Sequence, residues 1–122
     1  MTFRESLQHI VDNVPGAVAA MIMGFDGIAL ESYDRDGGSG IDLPTLLIEY
    51  SGATQTLRRA VETVPEIGAV TEVAVERSTG TCLLRPLSDE YFMAVIVRPE
   101  GLTGKARYLM RTLAPQILRD LS

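Results

Sequence analysis

The stretch Ala17-Val18-Ala19-Ala20-Met21-Ile22-Met23-Gly24-Phe25-Asp26-Gly27-Ile28-Ala29-Leu30 decides how the chain is read. Ala17 to Met23 is short and apolar at nearly every position, the pattern of a strand covered on both faces. Gly24-Phe25-Asp26-Gly27 then supplies turn residues, and Ile28 to Tyr33 continues extended, so the stretch predicts a β-hairpin. Asp34 to Gly40, with three glycines, predicts a loop after it.

Upstream, Thr2 and Glu5 have the spacing of a capping box, and Phe3, Leu7, Ile10, Val11 and Val14 recur on one helical face. Pro15-Gly16 ends that helix. Downstream, Asp42 caps a long helix reaching about Thr63, with Pro44 tolerated in its first turn. Leu43, Leu46, Leu47, Tyr50, Ala53, Leu57, Val61 and Val64 form its expected core stripe. Pro65 to Gly68 breaks the chain. Val70 to Arg77, Thr81 to Leu87 and Tyr91 to Val97 read as three strands of an antiparallel meander, joined by Ser78-Thr79-Gly80 and Ser88-Asp89-Glu90. A last helix starts near Thr103, and Pro115 should kink it.

The order is therefore α-β-β-α-β-β-β-α, within a single domain spanning residues 1–122. Ala17 to Met23 and Tyr91 to Val97 are the expected central pair. Val70 to Arg77 alternates, with Thr71, Val73 and Val75 on one side and Glu72, Ala74 and Glu76 on the other, as a peripheral strand does. That strand is placed at an edge.

Composition narrows the function. A formal net charge of -5 disfavours nucleic acid and anionic membrane surfaces, which are bound through clustered Lys and Arg. Val14 to Leu30 is the most apolar stretch, but Pro15, three glycines and Asp26 interrupt it well short of the roughly 20 residues a spanning helix needs. Arg4, Glu5, His9 and Asp12 interrupt any leader-like start. With a single cysteine, Cys82, read as core filler, the expected compartment is a reducing one, the cytoplasm.

Chemistry is hard to place. His9 falls off the apolar stripe of the first helix and reads as a surface residue, with no second His to bind a metal beside it. Gly101-Leu102-Thr103-Gly104-Lys105-Ala106 resembles a phosphate-binding turn, but Pro99 stands where the first glycine is needed and Ala106 where a Ser or Thr should follow the lysine. No catalytic group, metal ligand set or cofactor site is expected, and the chain is read as a binding protein.

Two surface features suit a partner. Ile48 and Gly52 point away from the expected core stripe of the long helix, with Gln55 and Arg59 beside them, making a second face that is small and uncharged over its first half; the alternative is a scatter of ordinary surface residues. Phe25 occupies a hairpin tip where Asn, Asp or Gly is usual. Exposed beside Asp26 and Ile28 it would make a contact point, and the alternative has it folded back over the end of the sheet.

The hairpin stretch quoted above, the small-residue helix around Ser51-Gly52-Ala53-Thr54 and the helix start Gly104-Lys105-Ala106-Arg107 resemble the roadblock family, the small α/β domains of dynein light chains and of bacterial regulators of Ras-like GTPases. The resemblance covers the whole chain and rests on pattern more than on a sharp motif. It implies a five-stranded antiparallel sheet sandwiched by helices. It also implies a homodimer formed by the third strand and the long helix, here Glu72, Ala74 and Glu76 with Ile48, Gly52, Gln55 and Arg59. The implied function is a non-enzymatic adaptor that binds another roadblock protein, for which the hairpin tip, Phe25, Asp26 and Ile28, is the expected contact. Through that partner it would reach a Ras-like GTPase controlling cell polarity or gliding motility. Phe25 departs from the more polar hairpin tips of many family members. The rivals are a PAS-like or profilin-like small-molecule sensor, and an enzyme whose cleft gathers Arg85, Asp89, Tyr91 and Arg98.

Overall fold

A computed structural model describes residues 1–35 and 40–121. The helices are α1 (Phe3–Asn13), α2 (Leu43–Glu62) and α3 (Thr103–Leu121), and the strands are β1 (Ala17–Gly24), β2 (Ala29–Asp34), β3 (Val73–Arg77), β4 (Gly80–Pro86) and β5 (Tyr91–Val97). A 3-10 turn, Pro65–Ile67, follows α2. The strands form one antiparallel sheet in the order β2-β1-β5-β4-β3, so the α/β order expected from the sequence is the order observed.

Period-2 alternation builds the two faces. Ala20, Ile22, Leu83, Met93, Val95 and Val97 pack with Leu7, Ile10, Val11 and Val14 of α1 and with Ala106, Met110 and Ile117 of α3. Met21, Met23, Cys82, Leu84, Phe92, Ala94 and Ile96 face the other way, beneath Leu43 and Leu47 of α2. The sheet is thus the middle of three layers, and β1 and β5 are neighbours at its centre, buried on both faces as their unbroken apolar runs predict. Burying a Leu, Ile or Phe side chain in this way contributes about 1.5–3 kcal/mol each.

Local signals place the helices. The Thr2 hydroxyl accepts from the Glu5 N–H and the Glu5 carboxylate accepts from the Thr2 N–H, completing the capping box. Hydrogen bonding to Thr2, from its backbone first and its hydroxyl second, holds the Glu5 carboxyl below its ordinary pKa. Asp42 caps α2 through Thr45, with Pro44 in the first turn. α3 runs through Pro115 from Thr103 to Leu121 as one helix. Gly16 and Gly101 meet where the chain enters β1 and leaves β5: a Cβ on Gly16 would lie 2.4 Å from the Gly101 Cα.

Strand limits differ from expectation by one to three residues. β3 begins at Val73 rather than Val70, because its ladder with β4 starts at the Val73–Leu84 pair. β4 starts at Gly80 and ends at Pro86, and β2 runs from Ala29 to Asp34. Of the loop expected over Asp34 to Gly40, residues 36–39 lie outside the described residues.

A larger difference concerns α2. Its buried residues are Leu43, Leu47, Ser51 and Thr54, whereas Ala53, Leu57 and Val64, expected in the core, are exposed. Ser51 and Thr54 can sit inside because their hydroxyls donate to carbonyls of their own helix, those of Ile48 (2.8 Å) and Tyr50 (2.9 Å).

Candidate functional site

At one end of the sheet the β1–β2 hairpin meets the β4–β5 turn and the side of α2. The hairpin closes with Gly27 N–H to the Gly24 carbonyl (3.0 Å) and Gly24 N–H to the Ile28 carbonyl (2.8 Å), and Gly27 takes a φ of 92° that only glycine adopts without strain. Asp26 Oδ1 accepts from the Ile28 N–H (3.0 Å). Phe25 does not stand out at the tip. Its N–H donates to the Glu90 carbonyl (2.8 Å), and its half-buried ring lies 4.9 Å from the ring of the fully buried Phe92. The folded-back alternative describes it, and the exposed residues of the tip are Asp26 and Ile28.

The Arg58 guanidinium also lies over the Phe25 ring, 5.0 Å from the centroid. Its Nη2 donates to the Ser88 carbonyl (3.1 Å) and to Asp89 Oδ1 (3.3 Å), while Nη1 reaches Gln55 Oε1 (3.4 Å). One guanidinium therefore ties α2, the hairpin and the β4–β5 turn together, beside a hollow of about 330 Å³ bordered by Val61, Glu62, Pro65, Val70 and Asp89. Sequence reasoning missed Arg58. The signal was available: Leu47, Ser51, Thr54 and Arg58 share one helical stripe, and a charge at a stripe position requires hydrogen-bond partners.

The residues expected at a dimer face separate into two groups. Ile48 is exposed and borders the hairpin, since a Cβ on Gly27 would lie 3.6 Å from Ile48 Cγ1. Gln55 is half-buried against Arg58, Arg59 is exposed with Nη2 3.3 Å from Thr56 Oγ1, and Gly52 is open to solvent. Glu72, Ala74 and Glu76 lie across the sheet from these. Ala74 pairs with Leu83, whose side chain packs against the α1/α3 layer, and Glu72 accepts twice from Arg107 Nε of α3, at 3.0 and 2.9 Å. The side chains that β3 shares with the α2 layer are those of Val73 and Val75.

Beyond its buried stripe, α2 carries a second apolar surface. Leu57 is 47% exposed, with exposed Ala53 and Ala60 at helical spacing from it, and Val64 (44%) and Ile67 (66%) are exposed in the segment that follows the helix.

Elsewhere, burial pushes the Cys82 thiol up to about 12, so it stays protonated at neutral pH. His9 is half-buried and its Nδ1 lies 3.2 Å from the Asn13 amide, so it is less solvated than expected. Among the described residues no helix is long and apolar enough to cross a membrane, and no three His, Cys, Asp or Glu side chains gather as a metal site would require.

No protein-family model matches the chain, and no curated protein sequence does. Solved structures do. The layered fold, with a long helix on one face and the terminal helices on the other, is that of the roadblock domains, and the chain belongs to the roadblock family. It is similar to MglC from Myxococcus xanthus, with 35% identity over 98% of this chain and 99% of that one and a TM-score of 0.69. The Roadblock/LC7 domain from Streptomyces avermitilis superimposes with a TM-score of 0.83 at 20% identity, covering 99% of this chain and 98% of that one. The gliding protein MglB from Thermus thermophilus reaches 0.81 at 14% identity, over 94% of this chain and 84% of its own. The last two likenesses concern the fold alone.

Proposed function

We propose that this chain is a cytoplasmic, non-enzymatic adaptor that forms a homodimer and binds a second, MglB-like roadblock protein of a Ras-like GTPase system controlling bacterial polarity or gliding motility. The observation that carries the reading is the pairing of an edge strand, β3, with an exposed apolar run on α2, two features that protein contacts use. The likeness to MglC supports the process.

The mechanism is occupancy of surfaces. β3 and the open side of α2 hold the second copy, with Gly52 allowing close approach of a helix. The hairpin presents Asp26 and Ile28 to the roadblock partner, Ile48 extends that contact, and Phe25 supports it from below. The GTPase is reached through the partner, and no cofactor takes part.

Calorimetric titration of an MglB-type roadblock protein into the wild type and into the Asp26→Ala, Ile28→Ala double variant tests this. Affinity should fall at least about tenfold, the equivalent of about 1.4 kcal/mol, while circular dichroism stays unchanged. Equal affinity would exclude the hairpin as the partner contact.

A further inference from the structure

Arg58 bridges two elements at the hairpin end of the sheet. Its guanidinium lies 5.0 Å from the centroid of the Phe25 ring and donates through Nη2 to the Ser88 carbonyl at 3.1 Å. The β4–β5 turn that supplies this carbonyl is braced from within, since Ser88 Oγ accepts from the N–H groups of Glu90 (3.1 Å) and Tyr91 (3.2 Å). The same turn reaches back to the hairpin, where the Glu90 carbonyl accepts from the Phe25 N–H at 2.8 Å. Arg58, Ser88, Glu90 and Phe25 thus close a ring of contacts around the root of the hairpin tip.

The tip is tied to Phe25. Asp26 Oδ1 accepts from the Ile28 N–H, and the Gly27 N–H donates to the Gly24 carbonyl. A Cβ on Gly24 would lie 2.4 Å from Asp26 Oδ1, so the Asp26 side chain is folded tightly over the turn. A shift of Phe25 therefore carries Asp26 and Ile28 with it. Arg58 presents little of itself outward: its side chain is 22% exposed, whereas that of Asp89 beside it is fully exposed. A planar guanidinium can lie over an aromatic ring and still donate to acceptors in its own plane. A lysine ammonium is a compact point charge and cannot combine the two in the same way.

We infer that Arg58 is a positioning residue for the roadblock partner. It fixes Phe25 against the β4–β5 turn and so sets the geometry in which Asp26 and Ile28 meet the partner, without touching the partner itself. The inference rests on the hairpin reading of partner binding and adds to it a residue of α2.

The test is calorimetric titration of an MglB-type roadblock protein into Arg58→Lys, Phe25→Leu and their combination, with hydrogen exchange followed on the free proteins. Arg58→Lys should bind about fivefold more weakly than the wild type. Its Phe25, Gly27 and Ile28 amides should exchange faster, while those of β1 and β5 keep wild-type rates. In the Phe25→Leu background the same change should alter affinity less than about twofold, because the ring through which Arg58 acts is gone. A loss as large in that background as in the wild type would mean that Arg58 meets the partner directly, and would overturn the inference. Unchanged hairpin exchange would overturn it too, as would a rise spread evenly over the sheet, the mark of lost global stability. Wild-type affinity of Arg58→Lys beside weak binding by the Asp26→Ala, Ile28→Ala variant would remove the role of Arg58 and leave the hairpin contact standing. Wild-type affinity of that double variant would overturn the hairpin contact and the role of Arg58 together.

Discussion

At one edge of the sheet, β2, both backbone groups of Ser32 are taken by side chains, whereas at the other, β3, no side chain among the described residues bonds to the strand. The Ser32 N–H donates to the Glu31 carboxylate at 3.0 Å, and its carbonyl accepts from Arg4 Nη1 at 3.0 Å. Arg4 reaches across from α1, 3.5 Å from Glu31 and 5.5 Å above the Tyr33 ring. Near β3, Glu72 and Arg107 engage each other instead of the edge. Capped edge groups resist the addition of a strand and open ones accept it. The contrast teaches that a few side chains suffice to leave the two edges of one sheet differently open to an added strand.

The strongest way to break that contrast is at β3. Ala74→Pro removes an outward N–H that the sheet itself does not use, a change an edge strand tolerates. The dimer should weaken by about 2 kcal/mol or more, roughly thirtyfold in dissociation constant by sedimentation, with the monomer still folded. A dimer of unchanged affinity would mean that β3 is not the pairing edge.

At β2 the expected effect is smaller and of a different kind. Arg4→Ala uncaps Ser32 and removes a surface ion pair, lowering stability in a urea titration by about 1 kcal/mol. The β3 dimer should persist, and a concentration-dependent rise in higher oligomers would show that β2 had been guarded by Arg4. The smallest effect is expected of Glu72→Gln, which breaks a half-exposed ion pair with Arg107 and should cost about 0.5 kcal/mol in the same titration. Its dimer affinity should match the wild type, since the Glu72 side chain faces α3 rather than the open edge.

Much of this was legible in the residues. The unbroken apolar runs Ala17–Met23 and Tyr91–Val97 located the centre of the sheet, and the alternation after Val70 located β3 at its edge. Thr2, Asp42 and Pro44 marked helix starts through bonds made within a few residues. The site was less legible. Phe25 could point outward or back, and its placement depends on Phe92 and Arg58, which lie 67 and 33 residues away and leave no trace in local spacing. Ile48 joined the hairpin rather than the β3 side chains because α2 brings it beside Gly27.

The sequence by itself determined the order of elements, the two-sided burial of β1 and β5 and the position of the turns, because period, capping and turn chemistry act over a few residues. Only the tertiary structure decided which side of α2 meets the sheet. Helical periodicity reports that a side is apolar without reporting what covers it. Ser51 and Thr54 could be buried because their own helix satisfies their hydroxyls, and Leu57 was left outside because the stripe of Leu43, Leu47, Ser51 and Thr54 is the one turned inward.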